Sequence, residues 1–358
     1  MSARAGALEA KVAGRDLDAL LVSDPVNLRW VTGFTGTNGF AVVGDGVRAF
    51  ITDFRYVEQA EAEVDASFER RRGERDLLED VRAVLPDVRP LRLGFDDAKT
   101  SVRTHGKLAE FLGEEIELVP AGGVVEELRA VKDASELTLI RTAARIADEA
   151  LREVLDAGIV GRTEKAVARA LEDAMRDRDA EPSFPSIVAA GPHGALPHAE
   201  PREVEIPAGT LVVIDWGARY EGYCSDGTRT VATGDLDDDE AVDVYALVLR
   251  AQRASVDAVR PGPEGKEVDA IARDAIAAAG HGDAFGHGLG HGVGLEVHEG
   301  PTLSKKGEQK LETGNVVTVE PGVYLPGRFG VRIEDLVIVT EDGAENLSSL
   351  PKELTTVA

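Results

Sequence analysis

The chain has 358 residues, 43% of them hydrophobic and only 5% aromatic, long enough for two domains built on aliphatic cores. Its 65 acidic against 40 basic residues give a formal net charge of -25, which argues against nucleic acid and anionic lipid as partners. No run of about eighteen uncharged apolar residues suggests a membrane span. The single cysteine, Cys224, excludes an internal disulfide framework and reads as a small buried hydrophobe.

The opening residues, MSARAGALEAKVAGRDLDALLV, are alanine-rich and charged and lack the continuous apolar segment of a secretory signal, which points to a cytoplasmic protein. Short aliphatic or β-branched runs at 18–23, 40–44 and 49–53 predict strands, and 75–85 and 103–113 predict helices, together an α/β domain of 1–122. PAGGVV at 120–125 breaks that pattern, and the second domain, 123–358, opens on one long amphipathic helical region over 126–158. There follow a predicted helix at 163–178, loops at 181–200, strands at 210–217 and 222–232, helices at 239–258 and 266–279, and strands at 315–324 and 329–340. The acidic run GDLDDDE at 234–240 reads as a solvated face. With only ten lysines among the basic residues, the charge balance points to a salt-rich cytoplasm, where a Debye length of about 3 Å screens self-repulsion.

Residues 284–299, AFGHGLGHGVGLEVHE, hold three of the seven histidines. The glycine spacing does not match a dinucleotide fingerprint, and Gly288 stands where a zinc-binding helix would need glutamate. So many glycines also disfavour a helix, by about 1 kcal/mol each. The stretch is therefore irregular or closely approached backbone, its histidines converging on something outside it.

Carboxylates in two predicted hairpins supply that something. In LVVIDWGARYEGYCSDGTRT, Asp215 and Asp226 are equidistant from a turn centred on Tyr220 and Glu221, so a two-residue loop sets them opposite each other, Cβ atoms about 5 Å apart. A bulge at Gly222 would slip that register. In NVVTVEPGVYLPGRFGVRIEDLVIVT, Glu320 and Glu334 are symmetric about Gly327, and Arg332 shares the face of Glu334. Facing carboxylates next to apolar strands need a cation or proton between them. Four carboxylates and an imidazole can hold two divalent ions about 3.5 to 4 Å apart, suited to clamping a water for hydrolysis.

VVIDWGARYEGYCSDGTRT, GHGLGHGVGLEVHE, TVEPGVY and GVRIEDLV together resemble the ordered motifs of the pita-bread metallopeptidases that include Xaa-Pro dipeptidase (prolidase) and Xaa-Pro aminopeptidase. GFTGTNGF and ITDFRYVEQA extend the likeness to the amino-terminal domain that these peptidases share with creatinase. The resemblance implies a creatinase-like α/β domain followed by a pita-bread catalytic domain. It implies Asp215, Asp226, His291, Glu320 and Glu334 as ligands of two divalent metal ions, with Asp226 and Glu334 bridging; manganese or cobalt suits one imidazole among carboxylates, and zinc is the softer option.

The implied reaction is hydrolysis of the bond before a proline in second position by a metal-activated hydroxide, in a homodimer. Glu320 would shuttle the proton, His298 would donate to the oxyanion, His198 and His287 would line the substrate pocket, and Arg332 would orient the carboxylates. His105, His193 and His281 read as structural. Dipeptidases of this kind often carry an arginine after VHE to clamp a substrate carboxylate, and Thr302 stands there instead. The other readings are a metal-free creatinase-like hydrolase or lyase and a non-catalytic interaction protein on the same fold. The intact ligand set disfavours both.

Overall fold

The computed structural model describes residues 2–358 except Asp45 and Asp237. The chain forms two compact units, Met1–Arg129 and Ala130–Ala358. Among the described residues no helix is long and apolar enough to cross a membrane.

The first unit is built on a six-stranded sheet. Its strands are β1 (Ala19–Val22), β2 (Gly39–Gly44), β3 (Val47–Thr52), β4 (Glu69–Arg72), β5 (Leu91–Phe95) and β6 (Ile116–Pro120), in the order β4-β3-β2-β1-β5-β6. β1 runs antiparallel to β2 and parallel to β5, so the aliphatic runs read from the sequence occupy its centre. Helices α1 (Ser2–Gly14), α2 (Pro25–Thr32), α3 (Val57–Glu63), α4 (Val102–Leu112) and α5 (Val124–Arg129) accompany the sheet. The helix expected over 75–85 is not formed: turns lead into a single 3-10 turn, Val81–Val84. Its apolar residues Leu77, Leu78, Val81 and Val84 are buried as the periodicity predicts. The Asp80 carboxylate, however, accepts from the Glu74 backbone N–H at 3.0 Å, a local bond that competes with the helical ladder.

The second unit opens on α6 (Ala134–Asp156) and α7 (Glu164–Arg176). The single helical region expected over 126–158 is broken, because Asp133 accepts from the N–H groups of Ser135 and Glu136 while the Glu136 carboxylate takes the Asp133 N–H at 2.9 Å. This reciprocal cap starts a helix and so ends the preceding one. Strands β7 (Glu181–Pro182) and β8 (Ile187–Ala190) follow, within a stretch expected to be loop. Then come β9 (Leu211–Trp216), β10 (Ala218–Tyr220), β11 (Tyr223–Cys224) and β12 (Gly227–Ala232). α8 (Asp239–Ala258) and α9 (Gly265–Ala278) match their predicted spans closely. Asp237, within the acidic run, lies outside the described residues; Asp235, Asp239 and Glu240 are exposed.

Seven short strands complete the unit: β13 (Gly290–Gly292), β14 (Glu299–Leu303), β15 (Val316–Val319), β16 (Gly322–Leu325), β17 (Phe329–Arg332), β18 (Asp335–Val339) and β19 (Ala344–Asn346). They form a five-stranded sheet, β14-β13-β15-β18-β19, and the two-stranded β16-β17, while β12-β9-β8 forms a separate three-stranded sheet. Strands expected as continuous over 222–232, 315–324 and 329–340 are each interrupted, at Ser225–Asp226, Glu320–Pro321 and Ile333–Glu334 respectively. Three of the candidate ligands therefore sit where a ladder stops, with side chains and backbone free to serve another sheet.

The candidate metal centre

Register decides whether the carboxylates meet. Arg219 pairs with Cys224 and Tyr220 with Tyr223, which puts Glu221 and Gly222 in the turn, both with positive φ (47° and 82°), the conformation of a two-residue hairpin. The turn is thus centred one residue later than expected, and Asp215 lies opposite Thr228, not Asp226. The correction moves Asp215's partner by two positions, which keeps the same face because side chains alternate with period two. Asp226 therefore becomes a diagonal neighbour of Asp215. The second hairpin keeps the expected symmetry about Gly327, with Gly322 opposite Arg332 and Val319 opposite Asp335. Glu320 and Glu334 fall in the gap between those pairs. Their backbone N–H groups leave the hairpin, Glu320 donating to Leu289 O at 2.8 Å and Glu334 to Thr228 O at 3.0 Å.

All nine residues singled out from the sequence, Asp215, Asp226, His291, Glu320, Glu334, His198, His287, His298 and Arg332, line one cavity of about 500 Å3. Carboxylate oxygens of Asp215, Asp226 and Glu334 lie within 4.8 Å of one another. The His291 Nε2 atom is 3.3 Å from Glu320 Oε1 and 3.6 Å from Asp226 Oδ2, and its Nδ1 faces the Gly292 carbonyl at 3.1 Å. An Nδ1–H donor there leaves Nε2 as the nitrogen that faces the carboxylates, carrying a proton toward Glu320 here and able to offer a lone pair to a cation once that proton is lost.

Electrostatics make this cluster unsatisfied on its own. Burial pushes Asp226 and Glu334 well above the ordinary carboxylate range, and the neighbouring carboxylates reinforce the shift. Asp215 is also raised, burial outweighing the Arg332 guanidinium. Glu320 goes the other way: burial opposes its ionisation, but the hydrogen bond and charge of His291 prevail and hold it at about 2. His291 is raised, Glu320 overcoming its desolvation. Asp215 Oδ1 and Glu334 Oε1 are buried with no hydrogen-bond partner. Unpartnered anionic oxygens in an oxygen-rich set with one imidazole fit hard or borderline divalent cations.

The remaining oxygens are tied down by residues that the sequence reading did not single out. Thr228 Oγ1 donates to Glu334 Oε2 at 2.7 Å, and Thr318 Oγ1 donates to Glu320 Oε1 at 3.0 Å. Arg332 donates to Asp215 Oδ2 (2.5 Å), Thr228 Oγ1 (2.9 Å), Tyr324 Oη (2.8 Å) and Pro197 O (3.2 Å). The one available signal for the two threonines was their two-residue offset from a ligand, which puts them on the same strand face. Tyr324 lies 3.0 Å from His287 Nε2, whose Nδ1 is 2.7 Å from Gly288 O. Both ring nitrogens of His287 are engaged, and burial lowers its pKa, so the ring is a neutral part of the wall. His298, lowered by burial and then by the charge of His291, has its ring centroid 4.2 Å from that of His291. His198 is exposed and makes no hydrogen bond to the described residues.

The three histidines set aside as structural are absent from the residues lining the cavity. His105 packs on Phe95 and His193 meets Glu164. Burial pushes the Cys224 thiol up to about 12, consistent with an inert hydrophobe.

Fold and site together define a metal-dependent hydrolase: a pita-bread unit whose sheets bring four carboxylates and an imidazole into one buried cluster. The chain belongs to metallopeptidase family M24, whose model matches residues 138–341, and the model for the creatinase/prolidase N-terminal domain matches residues 4–131. It is 44% identical to the uncharacterized peptidase YqhT of Bacillus subtilis over 94% of this chain and 95% of that one. It is 35% identical to the Xaa-Pro dipeptidase of Pyrococcus furiosus over the same shares. Among solved structures, the Xaa-Pro dipeptidase from Bacillus anthracis superposes with a TM-score of 0.94 at 38% identity, covering 99% of both chains. The X-Pro aminopeptidase from Thermotoga maritima gives 0.87 at 35% identity, covering 96% of this chain and 98% of that one.

Proposed function

We propose that the protein is an Xaa-Pro exopeptidase, hydrolysing the peptide bond between an N-terminal residue and a proline in second position. The observation that carries this reading is the convergence of all five ligand-type side chains on one cavity, with two buried carboxylate oxygens lacking any partner. The names of the relatives, dipeptidase and aminopeptidase, support the proline specificity.

In this reading Asp215, Asp226, His291, Glu320 and Glu334 would hold two divalent cations; manganese or cobalt is favoured, with zinc the softer option. When bound, the cations acidify a water and polarise the scissile carbonyl. The protein's own groups do the rest. Glu320 takes the proton of the attacking water and delivers it to the leaving proline nitrogen. His298, a neutral imidazole, donates an N–H to the oxyanion of the tetrahedral intermediate. His198 contacts the substrate, His287 shapes the wall, and Arg332 holds Asp215 in position for its cation. We place all of this chemistry in the second domain, and expect a homodimer acting on peptides in the cytoplasm.

The test is an assay of Ala-Pro hydrolysis by protein stripped of metal and then reloaded. Activity should vanish on stripping and return with manganese or cobalt. Full activity after verified metal removal would refute the reading.

A further inference from the structure

The cavity wall that carries His198 is not a regular element. Residues 190–202 leave β8 at Ala190, make a 3-10 turn over Gly191–Ala195, and then run through Pro197, His198, Ala199, Glu200 and Pro201, five consecutive residues that line the cavity. His198 has no hydrogen bond of its own to the described residues, so its placement depends on how the backbone of this strap is held.

One side chain holds both ends of it. Glu164, the first residue of α7, has a completely buried carboxylate (0% exposed). Its Oε1 accepts from the Ala190 backbone N–H at 3.0 Å, where the strap begins. Its Oε2 accepts from the Arg202 backbone N–H at 3.0 Å, where the strap ends. The Arg202 guanidinium adds two bonds, Nε to Oε2 at 3.0 Å and Nη2 to Oε1 at 2.8 Å, and His193 Nδ1 lies 3.0 Å from Oε2. Two backbone amides, a two-pronged guanidinium and an imidazole thus close a 13-residue strap onto one carboxylate. The α7 N-terminus favours negative charge at that position, and Thr163 caps the same turn through Ala166 N. A second tether comes from the metal-site side, where Arg332 bonds the Pro197 carbonyl at 3.2 Å.

We propose that Glu164 is a positioning residue of the reaction: by fixing both ends of the 190–202 strap it holds His198 at the wall of the substrate cavity. The proposal rests on the reading of His198 as a substrate contact. Glu164 does not line the cavity, so it acts only through the strap.

The experiment uses the full chain loaded with manganese and compares wild type, Glu164→Ala, Glu164→Gln, His198→Ala and the Glu164→Ala/His198→Ala double variant on Ala-Pro. Glu164→Ala should lower kcat/KM by about 10- to 100-fold with bound manganese unchanged, and the split between kcat and KM should follow that of His198→Ala. In the His198→Ala background the same substitution should cost less than about threefold, since residues acting as a unit are non-additive. Hydrogen exchange at the Ala190 and Arg202 amides should accelerate. Glu164→Gln keeps the size and sets an amide against the same donors, so it should move every readout in the same direction if the alanine variant does not fold. Losses that multiply in the double variant, or unchanged amide exchange, overturn the proposal. A fully active His198→Ala overturns the reading of His198 beneath it; an active Glu164→Ala beside a crippled His198→Ala overturns the proposal alone.

Discussion

Arg332 and Asp215, 117 positions apart in the chain, are joined by a hydrogen bond of 2.5 Å from Nη2 to Oδ2, which leaves Asp215 Oδ1 buried with no hydrogen-bond partner. The same guanidinium reaches Thr228, Tyr324 and Pro197 in other directions, a fan of donors that a lysine ammonium cannot reproduce.

Arg332→Lys should therefore behave as a damaging change although charge is conserved. Metal affinity or kcat/KM should fall by about 10- to 100-fold, the usual cost of losing a group that orients a ligand. Titration of stripped protein with manganese, alongside steady-state kinetics, measures both. A lysine variant within twofold of wild type on both counts would mean that point charge alone suffices.

Metal removal should expose the strain in the carboxylate cluster as a pH effect on stability. Asp226 is raised in the folded protein by burial and then by Glu334, so above its unfolded value of about 3.9 the native state binds more protons than the unfolded chain. Stability consequently falls as pH rises through that window. Glu320, held at about 2, has the opposite sign: its contribution is complete above the unfolded value and is lost only as pH falls toward 2. His287 and His298, both lowered, also work in the opposite direction to Asp226 near neutrality. Comparison with Asp226→Asn removes this carboxylate and its repulsion of Glu334 and Asp215, so it reports the proton that the cluster shares. Metal-free Asp226→Asn should melt higher than metal-free wild type at pH 7.5, with the gap closing toward pH 4, and manganese should reverse the order at neutral pH. A gap that is constant with pH would show that Asp226 does not titrate as its surroundings dictate.

Substrate length is set by what can meet a free carboxylate. Thr302, at the position where the resemblance leads one to expect an arginine clamp, is an exposed residue of β14 and is not among the residues lining the cavity. Arg328 is committed elsewhere, to Glu240 and, at 2.8 Å, to Asp238. Arg332 is the one arginine among the described cavity residues, and its donors are already engaged. With no unpaired guanidinium to satisfy, the ratio of kcat/KM for Ala-Pro over Ala-Pro-Ala should stay within about tenfold, or about 1.4 kcal/mol. A ratio far above that would reveal another carboxylate clamp.

The charge balance makes a separate prediction. Most of the ion pairs, such as Arg141–Glu345 and Arg253–Glu353, are exposed and contribute little, whereas a net charge of -25 repels over the whole surface. Added salt should screen the second effect more than it harms the first. Melting temperature and activity should both rise between 0.05 M and about 2 M potassium chloride, where the Debye length drops toward 3 Å. Melts that are flat or fall across that series would count against a salt-adapted chain.

What could be read in advance was local. The aliphatic strands of the first unit, helices α8 and α9, and the symmetry of Glu320 and Glu334 about Gly327 all follow from periodicity and turn chemistry within a few residues. The misplaced turn at Glu221–Gly222 shows the limit: two adjacent two-residue loops fit the same residues, and the choice fell to the one with positive φ at both positions, where glycine is comfortable. The face survived the slip only because it was even. Thr318 differs from Glu320 by two positions and so had a weak local signal, but the bond of Thr228 to Glu334 and those of the Glu164 carboxylate beneath the strap carry none, since each acquires its role from a partner reached through the fold. The break before α6 was legible in Asp133 and Glu136, but the longer apolar stripe around them masked it.

The separation between partners also orders events during synthesis. Thr228 and Glu334 are 106 positions apart, and Arg332 waits 117 positions for its bond to Asp215. A nascent chain that has emerged only through β12 exposes Asp215 and Asp226 but has none of the groups that complete the cluster. In the proposed reading, divalent cations would gain a full set of ligands only when the last strands have been made and paired, a consequence of contacts that are non-local in the chain. On that reading peptidase competence would arrive late, only after the strands flanking Glu320 and Glu334 have been made and paired with those that flank Asp215 and Asp226.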